Sequence, residues 1–332
     1  MSRGVKRHRS HSADLSSYNR EPSSSLSPPP ASPTASTSSL STSKTAQRTK
    51  KLKILNDFTS SSPFPEYHHP TVKEAQEVHA LLAKVHPQYA ATRKAPSESA
   101  NSASTCGSVP NVIDSLIGTI LSQNTNAANS TGAKRSLDDT FGRHNFGAIA
   151  DAPRDEVIEA IRSGGLANRK ATIIQNLLRA IRTRHGTYSL QHLASSSVSD
   201  SAAMEELVSY DGVGPKTAAC VLLFCLGRDS FAVDTHVYRL SRLLGWVPAK
   251  ADRVQAQMHL DVRVPNELKY ALHVLMVQHG RACKGCKANG KGSAGNCVLK
   301  DYLRERKGMK EEEIEATAEG VEAEAKEEIE EL

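Results

Sequence analysis

Apolar residues recur at steps of three and four along the middle of the chain, which is the spacing of one face of an α-helix. The segment from Val72 to Val85 is the clearest case, with apolar residues at positions 72, 75, 78, 82 and 85 and Pro87 just beyond. No alternation typical of strands persists, so we predict an all-α fold. Further helices are predicted at residues 112–121, 157–162, 171–185, 217–226, 237–244 and 268–278.

The two ends of the chain differ from the middle in composition. Residues 1–60 are rich in Ser, Pro and Thr and carry a net charge of +7, whereas residues 308–332 carry −9 and the middle carries +8. The hydrophobic share of the whole chain is only 38% because both ends are polar. We expect residues 1–65 to be disordered, since so little apolar surface cannot offset the ordering entropy. A folded domain at 66–307 and an acidic tail at 308–332 complete the predicted organisation.

Two basic clusters in the head, Lys6–Arg9 and Arg48–Lys53, are typical of nuclear-import or nucleic-acid-binding segments. The Ser- and Arg-rich start also fits a mitochondrial transit peptide, although Pro28–Pro30 argues against an amphipathic helix there. Apolar runs are too short for a membrane span, and the start lacks the apolar region of a secretory signal. We therefore expect a nuclear protein with no membrane partner, with the mitochondrion as the alternative.

A glycine-rich turn at residues 210–218 precedes an apolar segment, and its Pro215 suits the first position of a helix. Backbone N–H groups at such a helix start can hold a phosphate without reading base sequence. Asp234, in the sequence Val-Asp-Thr-His, lies 18 residues after Lys216. It occupies a predicted helix N-cap, which keeps its carboxylate ionised and fixed in direction.

These two motifs together resemble the helix-hairpin-helix DNA glycosylases of the endonuclease III family. In that family the hairpin Leu-Pro-Gly-Val-Gly-Arg-Lys-Thr-Ala is followed by the aspartate of Val-Asp-Thr-His at the same spacing of 18 residues from the lysine. Three further segments resemble family motifs, and the resemblance spans about residues 70–305. These segments are Leu121–Thr125, Gly165–Ala171 and His279–Arg281.

The resemblance implies two helical lobes around a cleft that binds double-stranded DNA. A six-helix barrel carrying the hairpin would take residues 111–228, and residues 66–110 with 229–307 would form the second lobe. Lys216 and Asp234 would face the cleft from its two sides, and we expect a monomer. The residues implied to contact damaged DNA are Gly212, Val213, Gly214, Gln123, Asn124 and Lys170.

For three of those residues the sequence leaves alternatives open. Gln123 and Asn124 either fill the space left by a base that has flipped out of the duplex or cap a helix. Lys170 either contacts a backbone phosphate or lies on the solvated surface.

Two residues depart from the family hairpin. Asp211 stands where the family has proline, and Pro215 removes one N–H donor.

The implied activity is that of a bifunctional DNA glycosylase and AP lyase of base excision repair. The amine of Lys216 would displace the base at the sugar C1′ and form a Schiff base, which permits β-elimination. We expect burial and the helix N-terminus to depress the pKa of Lys216. Asp234 would either accept the amine's proton or stabilise an oxocarbenium-like sugar.

Two alternatives concern the substrate and the class of protein. An oxidised pyrimidine is the substrate implied by the family, but Leu244–Pro248 also resembles plant 5-methylcytosine glycosylases, so a modified or mismatched pyrimidine stays open. A non-catalytic module that binds DNA only through the hairpin is the alternative of a different class. The pairing of Lys216 with Asp234 argues against that module, because pure hairpin binding needs no such pair.

The cysteines depart from the family, which holds a [4Fe-4S] cluster with four thiolates in the pattern Cys-x6-Cys-x2-Cys-x5-Cys. Only Cys283, Cys286 and Cys297 follow the His-Gly-Arg motif. Aligning Cys297 on the third family cysteine puts Ala294 and Leu303 at two of the other positions. We assign no cofactor from the sequence, because a metal-free loop is favoured. Two alternatives stay open: an iron–sulfur cluster or a zinc ion, in each case with a ligand other than cysteine completing the set. No ligand role is predicted for Cys106, Cys220 and Cys225.

Overall fold

The computed structural model describes residues 61–89, 93–286 and 297–308, and the predictions for the rest of the basic head and the acidic tail lie outside them. Every regular element in these ranges is helical, which confirms the all-α prediction. The helices are α1 (Val72–Val85), α2 (Val112–Leu121), α3 (Ala127–Phe141), α4 (Phe146–Asp151), α5 (Arg154–Ala160), α6 (Ala167–His185), α7 (Asp200–Ser209), α8 (Pro215–Cys220), α9 (Thr235–Leu243), α10 (Arg253–Arg263), α11 (Asn266–Ala282) and α12 (298–308). None of the helices in the described ranges has the length and apolarity needed to cross a membrane.

Side-chain caps fix where several helices begin. Thr71 and Glu74 form a reciprocal capping box at the start of α1, and the Asn111 side chain accepts from the backbone N–H of Asp114 at the start of α2. Each cap satisfies an N–H group that has no partner inside the helix. Both helices have the bounds predicted from their apolar pattern, because cap and pattern agree.

The described residues pack around two main hydrophobic cores. The first gathers side chains of α2 to α8, mostly between Val112 and Cys225, and the second gathers α1 with residues between Phe231 and Tyr302. A smaller cluster joins the end of α8 to Ala232, with side chains of α11 packed against it. The helix that carries Lys216 is thereby tied to the second core.

Two segments pack differently from the sequence prediction. Ser62, in the region expected to be disordered, is buried and its Oγ lies 2.6 Å from Nδ1 of His259 on α10. Ser102 is buried against α2, where a Cβ on Gly118 would come within 2.5 Å of it. Because Ala103 also belongs to the first core, residues around Ser102 pack with that core and not with the second lobe.

Helix α8 continues into one π-helical segment, Val221–Cys225, in which the backbone N–H of Leu226 donates to the carbonyl of Val221 at 3.0 Å. The sequence pattern predicted a plain helix over residues 217–226. A π segment inserts an extra residue per turn and is common beside functional sites. Here it follows directly on the helical turn that carries Lys216.

A buried charge cluster centred on Asp114 fastens α2 to α3 and to the turn before α4. The Lys134 ammonium lies 2.9 Å from the Asp114 carboxylate, and these side chains are only 2% and 1% exposed. Arg143 at 3.2 Å and His144 at 3.1 Å approach the same carboxylate, and Ser102 donates to it at 2.9 Å. Burial alone would raise the pKa of Asp114, but the Lys134 charge and these hydrogen bonds hold it below its usual value.

We expect Asp114→Asn to lower the free energy of unfolding by about 3–5 kcal/mol, because it leaves a buried lysine with incomplete compensation. The pKa of Asp114 in the folded state lies below the usual 3.8, so the ionised carboxylate stabilises the protein above pH 3.8. This stabilisation is lost as the pH falls through the folded-state pKa. The difference from the wild type should therefore shrink below pH 3.8. Urea unfolding measures both effects.

Asp139→Asn is the matched control, since Asp139 is exposed on α3 and undergoes the same change of charge. That control should change the unfolding free energy by no more than about 0.5 kcal/mol. Equal losses in the two variants would contradict the role assigned to the Asp114 cluster.

Candidate active site

The turn between α7 and α8 is held in one conformation by its backbone and by α6 beneath it. Gly212 has φ +84°, and a Cβ there would lie 2.4 Å from Cγ2 of Ile173. Val213 is buried and donates its N–H to the carbonyl of Tyr210 at 3.2 Å. Gly214 is the N-cap of α8. The turn therefore presents the start of α8, and with it Lys216, from a fixed position.

Lys216 is partly exposed but its ammonium group is surrounded by protein atoms. Its side chain hydrogen-bonds to Cys220 one turn further along, and Cys106 and Asp234 are close enough to act on its charge. Burial favours the neutral amine, but these three groups outweigh it and hold the pKa of Lys216 above its usual value. The sequence-based expectation of a depressed pKa is wrong in direction for the DNA-free protein.

The charge that faces Lys216 at neutral pH comes from Asp234. Burial raises the pKa of the Cys220 thiol to about 11, so this thiol is neutral at pH 7. Burial would also raise the pKa of Asp234, but the nearby His273, the Val237 N–H and the Lys216 ammonium hold it below its usual value. A carboxylate and an ammonium group therefore lie together in a largely buried setting.

Helix α9 fixes the direction of the Asp234 carboxylate. Asp234 is the N-cap of this helix, as predicted, and its Oδ1 accepts from the backbone N–H groups of His236 and Val237, each at 2.8 Å. These bonds satisfy N–H groups that the helix leaves free and place a negative charge at its positive end. The carboxylate can reorient only by giving up both bonds.

Three residues of this site were not predicted from the sequence. His273 is buried on α11 beside Asp234 and Lys216; burial lowers its pKa, and its Nδ1 lies 2.7 Å from the Ala232 carbonyl. The thiols of Cys106 and Cys220 lie beside Lys216. Only Cys220 carried a sequence signal, because its spacing of four from Lys216 places both on one face of α8.

The turn after α2 lies next to the hairpin. Gln123 donates from Nε2 to Oγ1 of Thr217 at 3.2 Å, so it lies beside the residue that follows Lys216. Asn124 is exposed with φ +50°, a left-handed conformation that asparagine tolerates. Gln123 is therefore near the proposed centre, and a role of Gln123 and Asn124 in filling the space of a flipped base remains a prediction.

The placement of Lys170 corrects the expectation that it contacts DNA or lies on the solvated surface. Its side chain is buried, and Nζ donates to the carbonyls of Leu121 at 2.7 Å and Gly164 at 2.8 Å. Burial lowers its pKa. The ammonium group satisfies two carbonyls at the ends of helical segments, so this lysine joins α6 to the end of α2.

The His-Gly-Arg segment lies at the end of α11, close to the start of α9. A Cβ on Gly280 would lie 2.9 Å from both Cβ and Nδ1 of His236. Glycine at 280 thus allows α11 to approach α9 two residues from Asp234. On the other side of Gly280, His279 lies with Cys283, Cys286 and Cys297, the three predicted metal ligands.

Comparisons with known proteins agree with this geometry. Residues 117–266 match the model of the HhH-GPD superfamily of base excision DNA repair proteins. A candidate DNA glycosylase of Arabidopsis thaliana is 36% identical over 244 residues, covering 69% of this chain and 82% of the plant protein. This chain belongs to the HhH-GPD superfamily. The endonuclease III resemblance is thereby confirmed.

Two further comparisons place this HhH-GPD protein beside endonuclease III itself. The endonuclease III of Sulfolobus acidocaldarius is 31% identical over 199 residues, covering 60% of this chain and 84% of that protein. A solved structure of a trapped endonuclease III–DNA covalent intermediate aligns with a TM-score of 0.51 and 25% identity, covering 66% of this chain and 89% of that chain. The helical fold and the DNA glycosylase family are therefore established.

We expect Gly212→Ala to destabilise this HhH-GPD protein on two grounds. A non-glycine residue at positive φ costs about 1–3 kcal/mol, and packing against the stiff side chain of Ile173 adds a further ~1–3 kcal/mol. Gly165→Ala is the control, because its φ of +66° carries the backbone cost while no atom lies within 4 Å of the new Cβ. Thermal unfolding that ranks the two variants equally would show that Ile173 does not restrict the hairpin.

Proposed function

We propose that this protein is a bifunctional DNA glycosylase and AP lyase in which Lys216 is the nucleophile and Asp234 its partner. The observation that carries the proposal is the electrostatic interaction of the Lys216 ammonium with the Asp234 carboxylate, which two backbone N–H groups hold in place. A lysine amine can attack the sugar C1′ and break its bond to the base. The related endonuclease III–DNA structure, described as a covalent intermediate, supports this chemistry by analogy.

Because the pKa of Lys216 is raised, the group is an ammonium without a lone pair for attack. The first step of the reaction is therefore its deprotonation. Asp234 is ionised and acts on the charge of Lys216, so we propose that it accepts the proton when DNA is bound. The free amine then attacks C1′, the C1′–base bond breaks, and the base leaves with the electron pair. The amine then loses a proton and the C1′–O4′ bond breaks, which opens the sugar and forms the Schiff base. Loss of a proton from C2′ then expels the 3′ phosphate by β-elimination.

DNA binding is proposed from the same elements. The hairpin offers the backbone N–H groups of Gly212 and Gly214 before the start of α8, and the middle of the chain carries a net charge of +8 that favours a polyanion. The target base must leave the duplex to reach Lys216, which costs a few kcal/mol and favours damaged or mismatched pairs. We propose an oxidised pyrimidine in double-stranded DNA as substrate, action as a monomer, and the nucleus as the site of action.

The lyase step is tested by borohydride trapping on a duplex that contains an abasic site. We expect the wild type to form a covalent adduct and Lys216→Gln to form less than about 1% of it, since the glutamine amide is not a nucleophile. Lys84→Gln, on the exposed side of α1, is the control and should trap as the wild type does. A wild type without adduct, or Lys216→Gln that traps fully, would exclude the proposed lyase.

Duplexes of the same design show which damaged or modified base the protein removes. Duplexes that carry an oxidised pyrimidine, a 5-methylcytosine or a mismatched thymine at one position should be compared under single turnover. We expect base release to be fastest with the oxidised pyrimidine. Faster release of 5-methylcytosine or thymine would favour the modified or mismatched pyrimidine, and binding without release from any duplex would favour the non-catalytic module.

The pH dependence tests the proton transfer from Lys216 to Asp234. Adduct formation by the wild type should accelerate as the pH rises above 7, because the pKa of Lys216 lies above its usual value. Asp234→Asn removes the carboxylate that stabilises the ammonium, so its half-maximal pH should fall while its maximal rate drops by about 10²–10⁴-fold. Asp252→Asn is the control, because it makes the same change of charge at the N-cap of α10. An unchanged half-maximal pH in Asp234→Asn would show that Asp234 does not set the proton affinity of Lys216.

A further inference from the structure

Four ligand atoms converge where α11 ends, outside the proposed catalytic pair. His279 on α11, Cys283 and Cys286 just after it, and Cys297 immediately before α12 place Nε2 or Sγ within 4.8 Å of one another. Nε2 of His279 lies 3.6 Å from Sγ of Cys286 and 3.7 Å from Sγ of Cys297, and these two sulfurs are 3.2 Å apart. Three soft sulfur atoms and one imidazole nitrogen therefore surround a single point.

The orientation of His279 is fixed by a second histidine. Its Nδ1 lies 3.0 Å from Nε2 of His86, which follows the last residue of α1. Since Nδ1 is engaged in this hydrogen bond, Nε2 is the nitrogen that faces the sulfurs. A histidine that binds a metal commonly uses its other ring nitrogen in such a contact, which fixes the tautomer and the ring orientation.

The geometry does not fit the [4Fe-4S] cluster that the family resemblance implies. Such a cluster takes one ligand on each of four iron atoms, so its ligands lie far apart around the outside of the cluster. A single tetrahedral Zn²⁺, with Zn–S near ~2.3 Å and Zn–N near ~2.0 Å, requires separations of about 3.5–3.8 Å between its ligand atoms. The observed 3.6 and 3.7 Å match one ion, whereas the 3.2 Å between the sulfurs of Cys286 and Cys297 lies below this range and would lengthen when zinc binds.

We propose that His279, Cys283, Cys286 and Cys297 bind one Zn²⁺ in a closed structural site. The spacing Cys-Lys-Gly-Cys at 283–286 is typical of zinc sites, and three cysteines with one histidine form a complete tetrahedral set. His279, Cys286 and Cys297 are at most 4% exposed, so the site has no open position for substrate. The fourth ligand was not predicted from the sequence. His279 precedes the three cysteines and belongs to the His-Gly-Arg motif, which was explained by the family resemblance.

The site explains how the C-terminal segment is fastened to the second core. Cys297 leads directly into α12, where Tyr302 donates to Glu77 of α1 at 2.7 Å and Arg306 pairs with Glu74. A zinc ion would tie the start of α12 to α11 at one point, while these contacts hold α12 against α1. The ion then stabilises this lobe and takes no part in base removal.

Metal content is the direct test, and it does not depend on glycosylase activity. The full chain should be produced with zinc and iron both supplied and analysed for metal and acid-labile sulfide. We expect one zinc per chain and no sulfide, and replacement by Co²⁺ should give the strong visible absorption of a tetrahedral site with thiolate ligands. Stoichiometric iron with sulfide would overturn the proposal in favour of a cluster. Absence of metal, with free thiols or a Cys286–Cys297 disulfide, would also overturn it.

Variants separate a ligand role from a packing role. Cys297→Ser and His279→Ala should each lower zinc content at least tenfold under competition with a chelator, whereas Cys225→Ser, in the first core, should retain it. His279→Cys should retain zinc and strengthen the thiolate-to-cobalt absorption, because a fourth thiolate replaces the imidazole. Loss of zinc in His279→Cys together with retention in His279→Ala would contradict the proposed ligand set.

Discussion

The placement of two opposite charges in a largely buried setting is the constraint on which the proposed centre depends. Asp234 and Lys216 lose hydration there, and such a loss is compensated only when the charges are paired and their remaining hydrogen-bonding capacity is used. The protein meets this requirement by placing the two residues at the N-termini of two helices. The N-terminus of α9 supplies two N–H groups to the carboxylate, and the start of α8 carries the lysine. Neither helix could shift far without leaving a buried charge uncompensated.

Since the two charged residues belong to helices anchored in different cores, the contacts between those cores set their alignment. Helices α10 and α11 both take part in these contacts. On α11, His273 lies beside both charges, Gly280 allows this helix to approach His236, and Tyr270 and Val274 pack against the cluster at the end of α8. The thiol of Cys220 hydrogen-bonds to the amine, and Cys106 lies close enough to act on its charge. The geometry of the centre therefore depends on the packing around α11 as well as on the two motifs that carry Lys216 and Asp234.

The sequence was most informative where a periodic apolar face coincided with a cap, as in α1 and α2, and where two motifs had a fixed spacing, as for Lys216 and Asp234. Helix α3 was missed because its fifteen residues bury only four side chains, two of them polar, so no apolar stripe marks it. The capping asparagine at 126 was the available signal. His273 and the burial of Lys170 could not be predicted, because each follows from contacts between residues far apart in the chain, and a polar side chain carries no sign of its burial.

The direction of the Lys216 pKa changes how the proposed reaction is to be understood. Burial alone would have produced a free amine ready to react before DNA arrives, as the sequence suggested. Cys220, Cys106 and the Asp234 carboxylate instead favour the ammonium, so the proposed nucleophile is held in an unreactive form in the DNA-free protein. A bound sugar and its phosphates would displace water from both groups and bring new charges near Asp234, and each change alters the balance between ammonium and amine. In the proposed reaction, proton transfer is thus coupled to correct binding, and this coupling would restrict the reaction to a base that has left the stack.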